Sequence, residues 1–194
     1  MKTTEEVVRG LLKHARPEIL KEFRADSCIA TTAIGLDILT EYGVLAEPFP
    51  VRLLIFNEAF ANRIEKGVPW PSNKEIVQWT EEDGSYSVGI GVGTQQPGKW
   101  AGHLVILIEK KFLLDLSIDQ ANRPKYNMNF DPICVEVDEK FFKGAPRVIQ
   151  SAGCVIRIEA LRNGGYSTSP DWIFPSRRQK ILDNIRRLMK EESP

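Results

Sequence analysis

Three residues of this chain have the types and local settings for thiol chemistry: Cys28, His103 and Asp115. Cys28 follows Asp26 and Ser27, either of them a natural N-cap. It precedes Ile29, Ala33, Leu36 and Leu39 at helical spacing, which puts it in a helix's first turn. The N–H groups and partial positive charge of a helix start favour a thiolate. His103 opens an apolar run, and Asp115 lies in a second apolar run beyond Glu109-Lys110-Lys111. The two runs read as a β-hairpin with a charged tip. Opposed residues in an antiparallel pair have a constant sum of numbers. A sum of 218 sets His103 directly opposite Asp115, and a sum of 220 makes them diagonal neighbours on one face. An odd sum separates them onto opposite faces. A carboxylate among Phe112, Leu113, Leu114 and Leu116 needs a partner, and His103 is the one at hand. Such a pair fixes the ring's tautomer and leaves the other nitrogen to take or give a proton. A thiolate beside that ring is a nucleophile, with first-turn N–H groups as oxyanion donors.

The elements needed to position these groups can be read along the chain. Thr3 or Thr4 caps a first helix with Val7, Val8, Leu11 and Leu12 on its packed face. Arg16-Pro17 is expected to interrupt it, with Pro17 opening a second short helix over 18–23. His14, among polar neighbours, reads as solvent-facing. The Cys28 helix is expected to run about 14 residues, a common helix length, to a stop at Gly43. Strands are expected at 51–56, 85–92, 133–137 and 154–160, besides the hairpin. A short helix is expected over 57–66, and loops over 68–73 and 93–98. Ser176 caps a final helix bearing Ile181, Ile185, Leu188 and Met189 on one face. The fold class is α+β, a single domain over 1–194 with the Cys-bearing helix packed on an antiparallel β-sheet.

The order helix-start Cys, strand-start His, next-strand Asp resembles that of papain-like and transglutaminase-like thiol enzymes. The stretch from Gly102 through Ile108 to Leu114–Gln120 is similar to the His–strand–turn–strand–Asp segment of transglutaminase-like domains. Members often carry Thr or Ser and then Gln just after the Asp, where this chain has Ser117 and Gln120. The resemblance covers residues 24–123. It implies a papain-like/transglutaminase-like core, with Cys28 as nucleophile, His103 as base and Asp115 as the residue that orients it, and with no metal or cofactor. Gln120 reads as substrate-binding, as does Trp100, three residues before His103. There are departures. Ile29 stands where transglutaminases usually have an aromatic residue. The Gly-rich, Trp-flanked Cys of papain-type peptidases is absent. So is the Arg-Gly-Gly run of arylamine acetyltransferases, and Asp26-Ser27-Cys28 only echoes the Asp-Cys-Ser-Gly of cell-wall peptidases.

Composition excludes several classes. Lys+Arg and Asp+Glu are both 26 in 194 residues, so the net charge is zero. That speaks against a nucleic-acid partner and against a polybasic membrane anchor. The longest apolar run, 104–108, is far short of the about 20 residues of a membrane span. The first residues lack a signal-type apolar core, and three scattered cysteines suit a reducing compartment, so a cytoplasmic location is expected. Cys134 and Cys154 read as core residues, and no Cys/His spacing suggests zinc. Gly89, Gly91 and Gly93 read as a small-sided strand or a close backbone approach, because no phosphate-binding pattern contains them. Trp70, Trp79 and Trp172 read mainly as core, while Arg177, Arg178, Arg186 and Arg187 read as the solvated face of the last helix. The function expected is a thiol hydrolase or acyl transferase acting on a peptide, protein or small amide or thioester. The alternatives are a non-catalytic binding module and acetyl transfer from coenzyme A. The oligomeric state is left open.

Overall fold

Residues 2–24, 26–65, 71–92 and 100–191 are described by a computed structural model of the chain. Trp70, Gly93 and the expected loop at 93–98 lie outside them. The chain is α+β, a curled antiparallel sheet with helices on its outside. Its central strand is β1 (Ala46–Asn57). One edge of β1 pairs with β3 (His103–Ile108) along its first half and with β2 (Ser87–Ile90) along its second. The other edge pairs with β7 (Cys154–Ala160). The strand order is β5 (Ile133–Glu136), β4 (Phe112–Asp115), β3, β1, β7, β6 (Arg147–Ser151).

β1 starts earlier than the expected 51, taking in Pro48 and Pro50. The reason lies in where the missing N–H groups would point. The Pro50 carbonyl accepts from Leu161 N–H, on the flank away from β3. The ring nitrogen of a strand residue faces the same way as its carbonyl, so the ladder to β3 loses nothing. β6 was not expected at all; its residues are mostly exposed and it forms one edge of the sheet.

Alternation in the strands splits the apolar residues between two cores. Val51, Leu53, Ile55, Val105, Leu107, Leu113, Ile156 and Ile158 meet inside the curl. Ile106, Ile108, Leu114 and Leu116 face outward, under helices. Both faces of the β3–β4 hairpin are therefore covered, as its continuous apolar arms require. The covering helices are α1 (Thr4–Ile19), α2 (Cys28–Glu41) and a helix at the chain's end. α1 starts in a capping box between Thr3 and Glu6. It runs straight through Pro17, against the expected break at Arg16. Pro17 falls in the last turn, where it forfeits one backbone bond while Ala15, Arg16 and Ile19 stay buried. His14 is half-buried on α1 instead of solvent-facing.

α3 (Glu58–Glu65) and α4 (Asn73–Asp83) enclose a third apolar cluster of Phe56, Phe60 and Trp79. Two single-turn helices follow, α5 (Glu139–Phe142) and α6 (Pro170–Ile173). The final helix, α7 (Gln179–Glu191), packs Ile181, Leu182, Ile185 and Met189 into the outer core. It starts beyond Ser176, which sits in a 3-10 turn. Arg178 is not on a solvated face: it is buried, 3.5 Å from the Asp37 carboxylate. Arg186 is half-buried and paired with Glu41 and Asp183. No described helix is long and apolar enough to cross a membrane.

Candidate active site

α2 sets the position of Cys28. Its apolar residues Ala30, Ala33, Ile34, Ile38 and Leu39 are all buried, which holds the whole helix against the sheet. Gly35 permits the close approach to the strands. A Cβ there would stand 2.4 Å from Ile106 Cδ1 and 3.0 Å from Leu116 Cδ1. Thr32 Oγ1 donates to the Leu104 carbonyl at 2.8 Å, tying the start of α2 to the start of β3. Cys28 is thus the first residue of the helix, 8 % exposed, and near enough to the His103 imidazole to favour its charged form.

The hairpin register supplies the second contact. Ile106 pairs with Leu114, a sum of 220, so His103 and Asp115 are diagonal neighbours on one face. His103 Nε2 lies 2.7 Å from Asp115 Oδ2. Asp115 Oδ1 accepts from Ser117 N–H at 2.9 Å, so both carboxylate oxygens are engaged. His103 is fully buried and Asp115 is 5 % exposed. Burial alone would drive the imidazole toward its neutral form. The charge of Asp115 and its hydrogen bond, then the contact with Cys28, outweigh burial and push the pKa up from 6.5 to about 10.

Gln120 lies against the ring. Its Nε2 donates to the Ser117 carbonyl at 2.9 Å and stands 3.1 Å from His103 Nδ1. An amide N–H can donate to Nδ1 only while that nitrogen carries no proton. In the imidazolium, Nδ1–H is itself a donor and needs an acceptor such as a thiolate. Gln120 and Cys28 therefore suit opposite protonation states of the same nitrogen.

Trp100 lies against Gly102, the residue before His103. A Cβ on Gly102 would fall 2.3 Å from the Trp100 ring. Trp100 meets Tyr166 edge-on at 5.7 Å, and Tyr166 meets Trp172 at 5.0 Å. This row of rings leads from the start of β3 to α6, which packs on α2. Trp100 Nε1 is shielded from solvent with no hydrogen-bond partner among the described residues. Gly91, with φ of +70°, touches the backbone here, its missing Cβ 3.0 Å from His103 N. It is a close backbone approach, one of the two readings of the glycine series.

A cleft of about 510 Å³ opens at Ser27, the residue before Cys28, lined also by Glu22, Phe23, Arg24, Asp26 and Asp171. The other two cysteines are elsewhere. Cys154 is buried and Cys134 half-buried, and burial pushes both thiols up. Among the described residues no three His, Cys, Asp or Glu side chains gather as metal ligands. The structure thus brings Cys28, His103, Asp115 and Gln120 together, with Trp100 at the edge. Sequence reasoning passed over Arg16 and Tyr166 and read Trp172 mainly as core, where it is half-buried in the row of rings. For Arg16 a signal existed: Val8, Leu12 and Arg16 continue one apolar stripe at intervals of four. Comparison with protein-family profiles, curated proteins and solved structures finds no match to this chain.

Proposed function

We propose that this chain is a thiol-dependent hydrolase or acyl transferase acting on an amide or thioester, built on a papain-like/transglutaminase-like core. The observation that carries the reading is the succession Asp115–His103–Cys28, a buried carboxylate holding a buried imidazole that reaches a helix-start thiol. In this mechanism His103 stands as the imidazolium and holds the thiol's proton on Nδ1, because Nε2 is held by Asp115. The Cys28 sulfur attacks the carbonyl carbon and a C–S bond forms. Collapse of the tetrahedral intermediate breaks the bond to the leaving nitrogen or sulfur, which receives the proton from His103. Water, an amine or a thiol then attacks the Cys28 thioester, with His103 again as base. Ser27, at the N-cap position, makes no side-chain cap. That leaves the first-turn N–H groups, Cys28 N–H among them, available to the oxyanion.

The test is iodoacetamide alkylation of the native protein against pH, with the labelled cysteine located by mass spectrometry. Cys28 is expected to react selectively, and to keep reacting at pH 6, where an ordinary thiol with pKa about 8.5 is almost wholly protonated. His103→Ala is expected to abolish that low-pH reactivity. Slow labelling of Cys28 at pH 6, no faster than that of Cys134, would sink the proposal. It would favour a binding module on the same scaffold, a second reading supported by the near-burial of Cys28.

A further inference from the structure

Arg16 is a buried cation beneath the candidate site. Its side chain is 4 % exposed, and it reaches two elements besides its own. Nη1 donates to Ser27 Oγ at 3.3 Å and to Thr31 Oγ1 at 3.2 Å, both at the start of α2. Nε lies 2.7 Å from Asp119 Oδ1, beside Gln120 in the turn that follows β4. The planar guanidinium spans two hydroxyl acceptors and one carboxylate, as a compact lysine ammonium would not. The grip on Ser27 also accounts for an oddity at the helix start. A serine at this position normally folds its oxygen back onto the N–H groups of the first turn. Here no such bond forms, and the oxygen accepts from Arg16 instead.

We infer that Arg16 is a positioning residue, which fastens the first turn of α2 to the Asp115–Gln120 turn and draws Ser27 off the helix N–H groups. Two consequences follow for chemistry at Cys28. The sulfur and the imidazole sit on elements joined otherwise by packing and by the Thr32–Leu104 hydrogen bond, and the guanidinium adds a second polar tie through the turn after β4. The N–H groups at the helix start are kept clear for a substrate oxygen. The functional half of this inference rests on the reading of Cys28 as a nucleophile. The charged groups on the elements that meet the start of α2 are His103 and Asp115 from the hairpin, Arg16 from α1, Asp119 from the turn, and Arg24, Asp26 and Asp171, which line the cleft at Ser27.

The test compares wild type with Arg16→Met/Asp119→Asn. Removing both charges leaves neither one buried alone, so the double variant is expected to unfold at a temperature close to that of wild type. Thr31→Val is a milder second variant that removes one acceptor and no charge. The readouts are Cys28 alkylation at pH 6 and pH 9, and amide hydrogen exchange. The double variant is expected to alkylate about 10-fold or more slowly than wild type at pH 6, because small misplacements of reacting groups are costly. At pH 9, where an ordinary thiol is ionised without help, it is expected to match or exceed wild type. A purely structural role for Arg16 would loosen the turn, expose the sulfur and quicken alkylation at both pH values. Segments 27–34 and 117–123 are expected to exchange faster together, with β1 unchanged. Wild-type alkylation at pH 6 together with unchanged exchange in both segments would overturn the inference. Should wild-type Cys28 itself be inert at pH 6, the nucleophile reading falls, and the exchange measurement alone decides whether Arg16 is the fastening.

Discussion

At the scale of single residues, the buried ion pair dominates the site. The pKa of His103 is raised from 6.5 to about 10 in the folded protein. A group raised in this way contributes stability that is fully present below its unfolded value, near 6.5, and lost as pH climbs toward 10. The stability difference between wild type and Asp115→Asn is therefore expected to shrink between pH 6.5 and 10. Its slope is at most about 1.4 kcal/mol per pH unit, the limit for one proton. Urea unfolding of both proteins across that range measures it, and a difference that stays flat would count against the pair. Gly91 makes a second residue-scale case. Its positive φ and its contact with the Gly102–His103 backbone both oppose a side chain. Gly91→Ala is expected to slow Cys28 alkylation at pH 6 while Gly84→Ala, at a helix end with open space around it, leaves that rate unchanged.

At the scale of elements, turns carry the clearest consequences. β6 and β7 are joined by Ala152-Gly153 with φ of +51° and +69°, between the paired residues Ser151 and Cys154. Two consecutive left-handed residues make the type I′ turn that Asn-Gly suits best. Ala152→Asn is expected to stabilise the protein by about 0.5–1 kcal/mol, the usual size of such backbone effects, measured by thermal or urea unfolding. The hairpin bearing the site bends at Glu109 and Lys110, with φ of +51° and +54° and neither Gly nor Asn. That explains why the sequence left its register open: the residue types announce no turn, so nothing local chose among sums of 218, 220 and an odd number. Local signals served better elsewhere. α2 spans 14 residues from Cys28, and β7 runs from 154 to 160, because an apolar helix stopped by a glycine and an apolar strand declare themselves. The contacts of Gln120 with His103 and of Arg16 with Ser27 join separate elements; the helical stripe marks Arg16 as inward-facing, but nothing local to either residue names its partner. The continuation of α1 through Pro17 was hidden for a like reason, since tertiary burial of Ile19 outweighs a local penalty.

At the scale of the whole molecule, one sheet is shared by three apolar clusters, and α7 closes the outer one against α1 and α2. Ile185 is fully buried there. Ile185→Ala is expected to cost about 2–4 kcal/mol, the transfer loss plus a cavity, read as a lower urea midpoint with an unchanged slope. A drop below about 1 kcal/mol would mean that α7 is a loosely attached cover. β1 carries a different kind of consequence. Its second half waits for β7, with Asn57 paired to Cys154 and Val51 to Ala160. Between the synthesis of residue 57 and that of residue 154 a ribosome adds 97 residues, which takes about 5–20 s at bacterial and eukaryotic speeds. Throughout that interval the nascent strand has an open edge of unpaired N–H and C=O groups on which a neighbouring chain could add itself. Pro48 and Pro50 turn their hydrogen-free nitrogens to that same flank, so the features that look like strand breakers act as guards against mispairing before the fold can close.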